Sequence, residues 1–452
     1  MTQTTTKFPQ YAADFQALLA VGGEPAWLGQ LREQAWSRFG QLGLPTLRRG
    51  NEKWKYTDVR PVANATFEHP LSLGLDGVPD QEQVAAVAPW DPDWTNLVFI
   101  DGHYSPSLSS NQSGNKSGDV YVGSLAEAAG YHQDVLQKHL AQHAEFQDDG
   151  FVALNTSFLA DGALVHVPEG RSLAAPVHLV YLTTDRQQPR VTYPRTLVVA
   201  GGNSRLVVVE SYVSLAAGRY FTDAVTEIVL EDGANVDHYR LLLESEEAYH
   251  MGVSRVYLGP DTTFTTASFS HGAALGRNDF QVLLDAPGAD CTLNGLYLTT
   301  GTQHMDNFIN IDHAKPHGTS RLLYKGILAG KSRAVFGGNV LVRKEAQQTT
   351  AHQTDKNLLL SDEAEVDTKP SLLIYADDVK CGHGATAGHL NQDTLFYMRS
   401  RGLDAETASR MLVHAFAGEI IDKVHLPSLR EYLDRLFMAA IPAASLNLGR
   451  AQ

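Results

Sequence analysis

The stretches RTLVVAGGNSRLVVVESYV (residues 195–213) and TEIVLEDGANVDHYRLLLE (residues 226–244) are built alike. Each has an apolar run rich in β-branched residues, a turn of Gly, Asn or Asp, and a second run of alternating or nearly continuous apolar character. Such runs read as strands, and the residues between them tolerate the backbone conformations of tight turns. The design returns in ADCTLNGLYLTTG (289–301), TSRLLYKGILAG (319–330) and KSRAVFGGNVLV (331–342). The turn pairs Gly202-Asn203, Gly233-Ala234, Pro260-Asp261, Gly288-Ala289 and Gly318-Thr319 fall about 30 residues apart, within the period range of solenoid repeats. One such unit is too small to bury its own apolar face, so a core arises only when neighbours stack. No helix long enough for a βαβ crossover intervenes. The prediction is a mainly β chain built as a β-helix or related β-solenoid. Spacing alone leaves a β-sandwich open.

Working outward, the texture is helical on both sides. Before the β-rich part, residues 12–19 and 25–39 carry apolar residues at three- and four-residue spacing, and Pro25 suits a first helical turn. A polar, aromatic segment, RRGNEKWKYTDVRPV (48–62), follows; TNLVFIDGHYSP reads as a short strand and turn, SSNQSGNKSGD as a flexible loop, and 124–146 as helical. After Gly388, Asn391 is placed to cap a helix running to Arg399, with Gly402 to end it. Asp404 caps the next, whose apolar face is expected at Ala408, Met411, Leu412, Ala415, Phe416 and Ile420. Pro427-Ser428 precedes a last helix through Leu429, Leu433, Leu436 and Phe437. The predicted organisation is a mostly helical region (1–150), a β core (151–388) and a helical tail (389–452). The tail either caps one end of the solenoid or offers an amphipathic docking surface.

Composition narrows the function classes. The net charge is −15 over 452 residues, and no long Lys/Arg run supplies the basic surface that nucleic acid requires. No apolar stretch reaches transmembrane length, and the first twenty residues lack the charged and apolar regions of a secretion signal. Cys291 and Cys381 are the chain's two cysteines, which excludes a disulfide framework and predicts a reducing, cytoplasmic setting. Of 18 histidines, eleven lie from His238 onward, a weak metal signal.

Few segments carry chemistry. Gly326-Ile327-Leu328-Ala329-Gly330-Lys331-Ser332 imitates a phosphate loop, but three residues separate its glycines where that motif needs four, and a β-patterned run follows instead of a helix. It is expected to be a turn. Asp377-Asp378 is adjacent on the chain, so the two carboxylates face opposite ways on a strand and read as solvated turn residues. A β-helix with scattered acids also fits a polysaccharide lyase or hydrolase, although no local cluster proposes the converging carboxylates or Ca²⁺ site needed. Cys291 reads as a small core residue. The segment Val379-Lys380-Cys381-Gly382-His383-Gly384-Ala385-Thr386 stands apart. On an extended chain, Cys381 and His383 share a face within reach of one metal or cluster, and Lys380 is placed to favour the thiolate. The alternative is a buried Cys beside a hydrogen-bonded His in a turn. Two donors are too few for an ordinary four-thiolate cluster. Any cluster here needs ligands from another chain.

NEKWKYTDV (51–59), FGGNVLVRKEAQQTTAHQTDKNLLLS (336–361), KPSLLIYADDVKCGHGAT (369–386) and LFYMRSRGL (395–403) together resemble the SufB/SufD family of iron–sulfur cluster assembly scaffold proteins. The similarity runs over about residues 43–421. It is closer to the SufD branch, because the chain lacks the cysteine-bearing segments expected of SufB, the alternative assignment. The resemblance implies a right-handed parallel β-helix flanked by helices, acting as a non-catalytic scaffold. It implies pairing with a SufB-like subunit through the β-helix, with a homodimer possible for the isolated chain. A SufC-like ABC-type ATPase is expected to dock on the C-terminal helices, at Phe396, Leu403, Met411, Leu412 and Phe416. Nucleotide-driven ATPase pairing would then strain the scaffold and open its interface. Cys381 and His383 match the interface Cys and His, implying iron acquisition or a transient iron or iron–sulfur cluster shared with the partner and none held alone. Gly382 stands where the family often has Ser.

Overall fold

A computed structural model describes residues 8–45, 51–71, 78–110, 120–185 and 188–442. Residues 111–119 of the predicted flexible loop lie outside the described residues, as do residues 48–50 of the polar, aromatic segment. The chain opens with helices α1 (Pro9–Val21), α2 (Ala26–Leu42), α3 (Arg60–Ala63) and α4 (Gln81–Val87). Strands β1 (Thr95–Ile100), β2 (His103–Tyr104) and β3 (Tyr121–Ser124) follow, then α5 (Leu125–Tyr131), α6 (Gln133–His139) and α7 (Gly150–Ser157). The repeating part comprises β4 (Ala163–Val167), β5 (Val177–Thr183), β6 (Val191–Thr192), β7 (Arg195–Ala200), β8 (Arg205–Ser214), β9 (Phe221–Leu230), β10 (Asn235–Leu243) and β11 (Tyr249–Leu258). It continues through β12 (Thr263–His271), β13 (Leu275–Leu284), β14 (Asp290–Thr299), β15 (His304–His313) and β16 (Thr319–Leu328). It ends with β17 (Arg333–Val342), β18 (Thr349–Leu359), β19 (Glu365–Ile374) and β20 (Val379–Gly388). The tail is α8 (Gln392–Ser400), α9 (Ala405–Ile421) and α10 (Pro427–Ala440).

Even-numbered strands from β8 to β20 stack in one sheet and odd-numbered strands from β7 to β19 in a second, so each coil contributes one long strand to each wall. From coil to coil the pairing is parallel and in register. Arg205, Asn235, Thr263, Asp290, Thr319, Thr350 and Lys380 form one column, at steps of 27 to 31 residues. This is the predicted β-solenoid. Strand alternation sends every second side chain into the lumen, where Val236, Phe264, Cys291, Ser320, Ala351 and Cys381 stack in line. Cys291 is fully buried there, as a core residue should be, and burial pushes its thiol pKa up. The predicted turns lie along one corner. Asn203, Gly233, Asp261, Gly288, His317 and Gln348, one per coil, adopt positive φ between 52° and 76°, a conformation that Gly, Asn and Asp accept readily.

Both outer faces carry helices. α1, α2 and α7 cover the odd-numbered sheet through Tyr11, Phe15, Trp36, Phe39, Phe151 and Phe158, packed against Phe221, Val225 and Tyr249. The tail packs on the even-numbered sheet, with Val413, Ala417, Ile420, Leu429, Leu433 and Phe437 against Tyr239, Phe269, Leu296 and Ile327. Caps at Asn391 and Asp404 form as expected, each side chain accepting from a backbone N–H three residues on, and Gly402 takes φ 98°. The face of α9 differs from the expectation. Ala408 and Ile420 are buried, but Met411 and Ala415 are exposed, and the core-facing row is Ser409, Val413, Ala417 and Ile421. Apolar residues occupy more than half the circumference of this helix. Two adjacent stripes satisfy its periodicity, and the sheet selects one.

The sequence boundary at 150/151 is not a seam. β1, before it, pairs in parallel with β5, and α7, after it, is a helix where β structure was expected. Buried charges weld the N-terminal region to the solenoid. Arg195 Nη2 lies 2.5 Å from Glu227 Oε2, and the same carboxylate accepts from the backbone N–H groups of Ala141, His143 and Ala144. That guanidinium and those amides hold Glu227 below the usual carboxylate range despite its burial.

Candidate functional site

The two walls end differently from how they begin. β19 and β20 are the last strands of their sheets, and no residue in either is fully buried. The final coil presents two edges of backbone donors and acceptors and an open lumen mouth. Cys381 and His383 stand on the lumen side of β20, paired in register with Ala351 and Gln353 of β18. Periodicity therefore places both on one face, as predicted. They lie on a strand and not in a turn. Cys381 is half-buried against the core, whereas His383 is exposed.

The thiol differs from the expectation. Lys380 precedes it on a strand and so projects to the opposite face. Burial pushes the Cys381 thiol up, partly offset by the Ala351 backbone hydrogen bond. His383 Nδ1 lies 3.4 Å from Gln353 Nε2, which also donates to Ser371 O at 3.2 Å. Two residues along, Asp355 Oδ2 accepts from Asn357 Nδ2 at 2.7 Å, and Asn357 Oδ1 accepts from Tyr297 at 2.5 Å. Burial pushes the Asp355 carboxyl up to about 7, with Thr368 and Asn357 only partly offsetting it. Among the described residues, no three or more His, Cys, Asp or Glu side chains are grouped so as to hold a metal ion.

The remaining sequence candidates separate cleanly. The phosphate-loop look-alike is the end of β16 and a turn with Gly330 at φ 71°. Asp377 and Asp378 are exposed in the bend between β19 and β20. Of the five tail residues, Phe396 and Met411 are exposed at 75% and 51%. Leu403, Leu412 and Phe416 are partly buried against the tail–sheet core. Phe416 is engaged further: Lys325 Nζ sits 3.9 Å from its ring centroid and donates to its carbonyl at 2.6 Å and to Glu419 at 2.7 Å. The NEKWKYTDV segment is a clasp on the odd-numbered sheet. Lys53 bridges Asp149 and Asp279 at 2.9 and 2.6 Å, and Trp54 lies under the Arg277 guanidinium at 4.1 Å.

Comparison with known proteins agrees with this geometry. The family model described as SUF system FeS cluster assembly, SufBD core domain, matches residues 181–416, and the SufBD protein N-terminal region matches residues 4–179. The chain belongs to the SufBD family. An iron–sulfur cluster assembly SufBD family protein of Synechocystis is 33% identical over 92% of this chain and 91% of its own length. The iron–sulfur cluster assembly protein SufD of Escherichia coli is 32% identical over 88% of this chain and 90% of its own. The protein of that name from Bacillus subtilis is 24% identical over 91% and 93%. The two SufBD regions meet inside β5. The core model runs from there through the open coil into α9, so the bare end and the first part of the tail belong to one SufBD region. No helix among the described residues is long and apolar enough to cross a membrane.

Sequence reasoning missed Gln353, Asp355 and Thr368 as neighbours of the site. Gln353 and Asp355 lie in QQTTAHQTDKN, where both faces of the strand are polar. Only the register shows which residues face inward.

Proposed function

We propose that this chain is a SufD-type scaffold subunit of a cytoplasmic iron–sulfur cluster assembly complex. It pairs with a SufB-like subunit through the edges of β19 and β20. It carries a SufC-like ABC-type ATPase on its C-terminal helices, and it performs no turnover of its own. The observation that carries this reading is the bare terminal coil, with Cys381 and His383 on the lumen side of its last strand. Unpaired strand edges invite another chain, and proteins usually blunt them when no partner exists. Here the edges are ten residues long in each sheet, enough for strand-to-strand addition. Two side-chain donors at that junction supply part of a ligand set, and the partner supplies the rest.

The tail has a short route to the site. Exposed Phe396, Tyr397 and Met411 offer the ATPase an apolar patch. The Lys325–Glu419–Lys356 contacts tie α9 to β16 and β18, and β18 pairs directly with β20. Strain on α9 therefore reaches the strand of Cys381 and His383 in two steps. The test is the complex with His383→Ala. Assembly and stoichiometry should be unchanged while cluster formation slows at least tenfold. A wild-type rate of cluster formation in that variant would remove His383 from the function.

A further inference from the structure

Three of the four segments that carry the family resemblance meet on the outer face of the odd-numbered sheet, away from the lumen. NEKWKYTDV brings Glu52, Lys53 and Tyr56, FGGNVLV brings Gly337 and Asn339, and KPSLLIY brings Lys369. With Asp306 and Phe308 they line a slot of about 130 Å³. The scaffold reading gives these side chains no task.

Register makes the slot. Phe308 of β15, Gly337 of β17 and Lys369 of β19 are successive members of one outward column. Gly337 leaves that column without a side chain at its middle, and a β-carbon there would approach the Phe308 ring to 2.9 Å. Glycine inside a strand weakens it and often marks a place where a ligand or another backbone comes close. A cavity of roughly 150 Å³ takes benzene, so this slot has room for one six-membered ring. A neighbouring void lined by Arg277 and Asp279 measures about 10 Å³, enough for a single water.

The lining asks for a donor. Asp306 is buried, and its Oδ2 accepts from Arg277 Nη1 and Thr57 Oγ1, whereas Oδ1 has no hydrogen-bond partner. A buried carboxylate oxygen left unpaired is costly, and an N–H donated to it is a strong hydrogen bond. Asn339 Nδ2 is spent on Asn310 Oδ1 at 2.8 Å, which leaves its own Oδ1 to accept. The charges are already matched: Lys53 by Asp149 and Asp279, Lys369 by Glu52, and Arg277 by Asp306. An uncharged guest fits that balance. The guest is another molecule, since no residue outside the described ranges is aromatic or a histidine.

We propose that this slot is a binding site for a small, uncharged heteroaromatic molecule with an amino group, of the aminopyrimidine type. The ring packs against Phe308 and the bare backbone of Gly337, and the amino group donates to Asp306 Oδ1. Larger substituents leave past Asn339, which also lines a groove of about 600 Å³ on the same sheet. A bound ring ties residues 52–56 to β15 and β17, next to the edge strand β19.

The experiment is a saturation-transfer NMR titration of the full-length chain with 2-aminopyrimidine and with 2-methylpyrimidine, which has nearly the same shape and no donor. The amino compound should bind, and the methyl compound at least tenfold more weakly. Gly337→Ala keeps every charge and should weaken the amino compound at least tenfold. Asp306→Asn should bring the two compounds within threefold of each other. If that variant fails to fold in urea unfolding, the matched pair and Gly337→Ala decide. No binding of 2-aminopyrimidine up to its solubility limit, equal affinities of the pair for wild type, or undiminished binding to Gly337→Ala would each overturn the site. Its failure leaves the scaffold reading untouched.

Discussion

The two ends of the solenoid are made from the same strand pattern and treated in opposite ways. At the first end, β1 is buried along all six residues, β3 along all four and β5 along all seven. Antiparallel β2 and β3 close the sheets there, and helices cover what remains. At the last end, neither β19 nor β20 has a fully buried residue, and among the described residues no strand follows them. A stacked-repeat fold requires terminal caps for solubility. Among the described residues, such caps stand at one end only. In the reading proposed above, the end left open is the interface, and the Cys381–His383 pair stands on the lumen side of its last strand.

Substitutions that respect or ignore this contrast should differ most. Leu179→Asp puts an unpaired charge into the closed end, where Leu179 is fully buried. It should cost more than about 4 kcal/mol, or prevent folding. Ala387→Asp, on the lumen side of the open end, should cost less than about 1 kcal/mol in urea unfolding while abolishing partner pairing in size-exclusion runs. Equal costs would dissolve the contrast. Arg195→Ala comes next. It strands Glu227 in the welded region, with an expected loss of about 3–5 kcal/mol measured in the same assay.

Asp355 sharpens the comparison through pH. Its folded pKa lies above its unfolded value, so the protonated form stabilises the fold fully below about pH 4. That contribution is lost as pH rises through about 7. Wild type should therefore lose up to about 1.4 kcal/mol per pH unit between pH 5 and 7 relative to Asp355→Asn. Parallel stability curves for the two proteins would show that the carboxyl is not held neutral. The smallest stability effect is expected on the tail. Phe396→Asp with Met411→Asp should change stability by less than about 0.5 kcal/mol yet eliminate capture of the ATPase in a pull-down.

Much of the fold was legible because the solenoid repeats its own rules. Turn residues at Asn203, Gly233, Asp261 and Gly288 occur where positive φ is needed, and alternation in the strands between them marks the lumen. Where the rule weakens, so does the reading. On α9, Met411 and Val413 belong to neighbouring apolar stripes, and only the packed sheet decides that Val413 goes inside. On β18, Ala351, Gln353, Asp355 and Asn357 face inward through mostly polar residues. A hydrophobic pattern cannot announce a polar lumen. Cys381 and His383 were found because two residues of strand spacing place them together. Gln353 was not, because its closeness to His383 is made between strands about 30 positions apart.

The most direct test is backbone hydrogen exchange on β19 and β20, followed by mass spectrometry, for the chain alone and with a SufB-like subunit. Amides of residues 365–374 and 379–388 should exchange fast in the isolated chain and slow at least tenfold in the complex, while those of β1 and β5 stay slow in both. A stable complex that leaves the β19 and β20 amides exchanging as before would place the partner elsewhere and contradict the account.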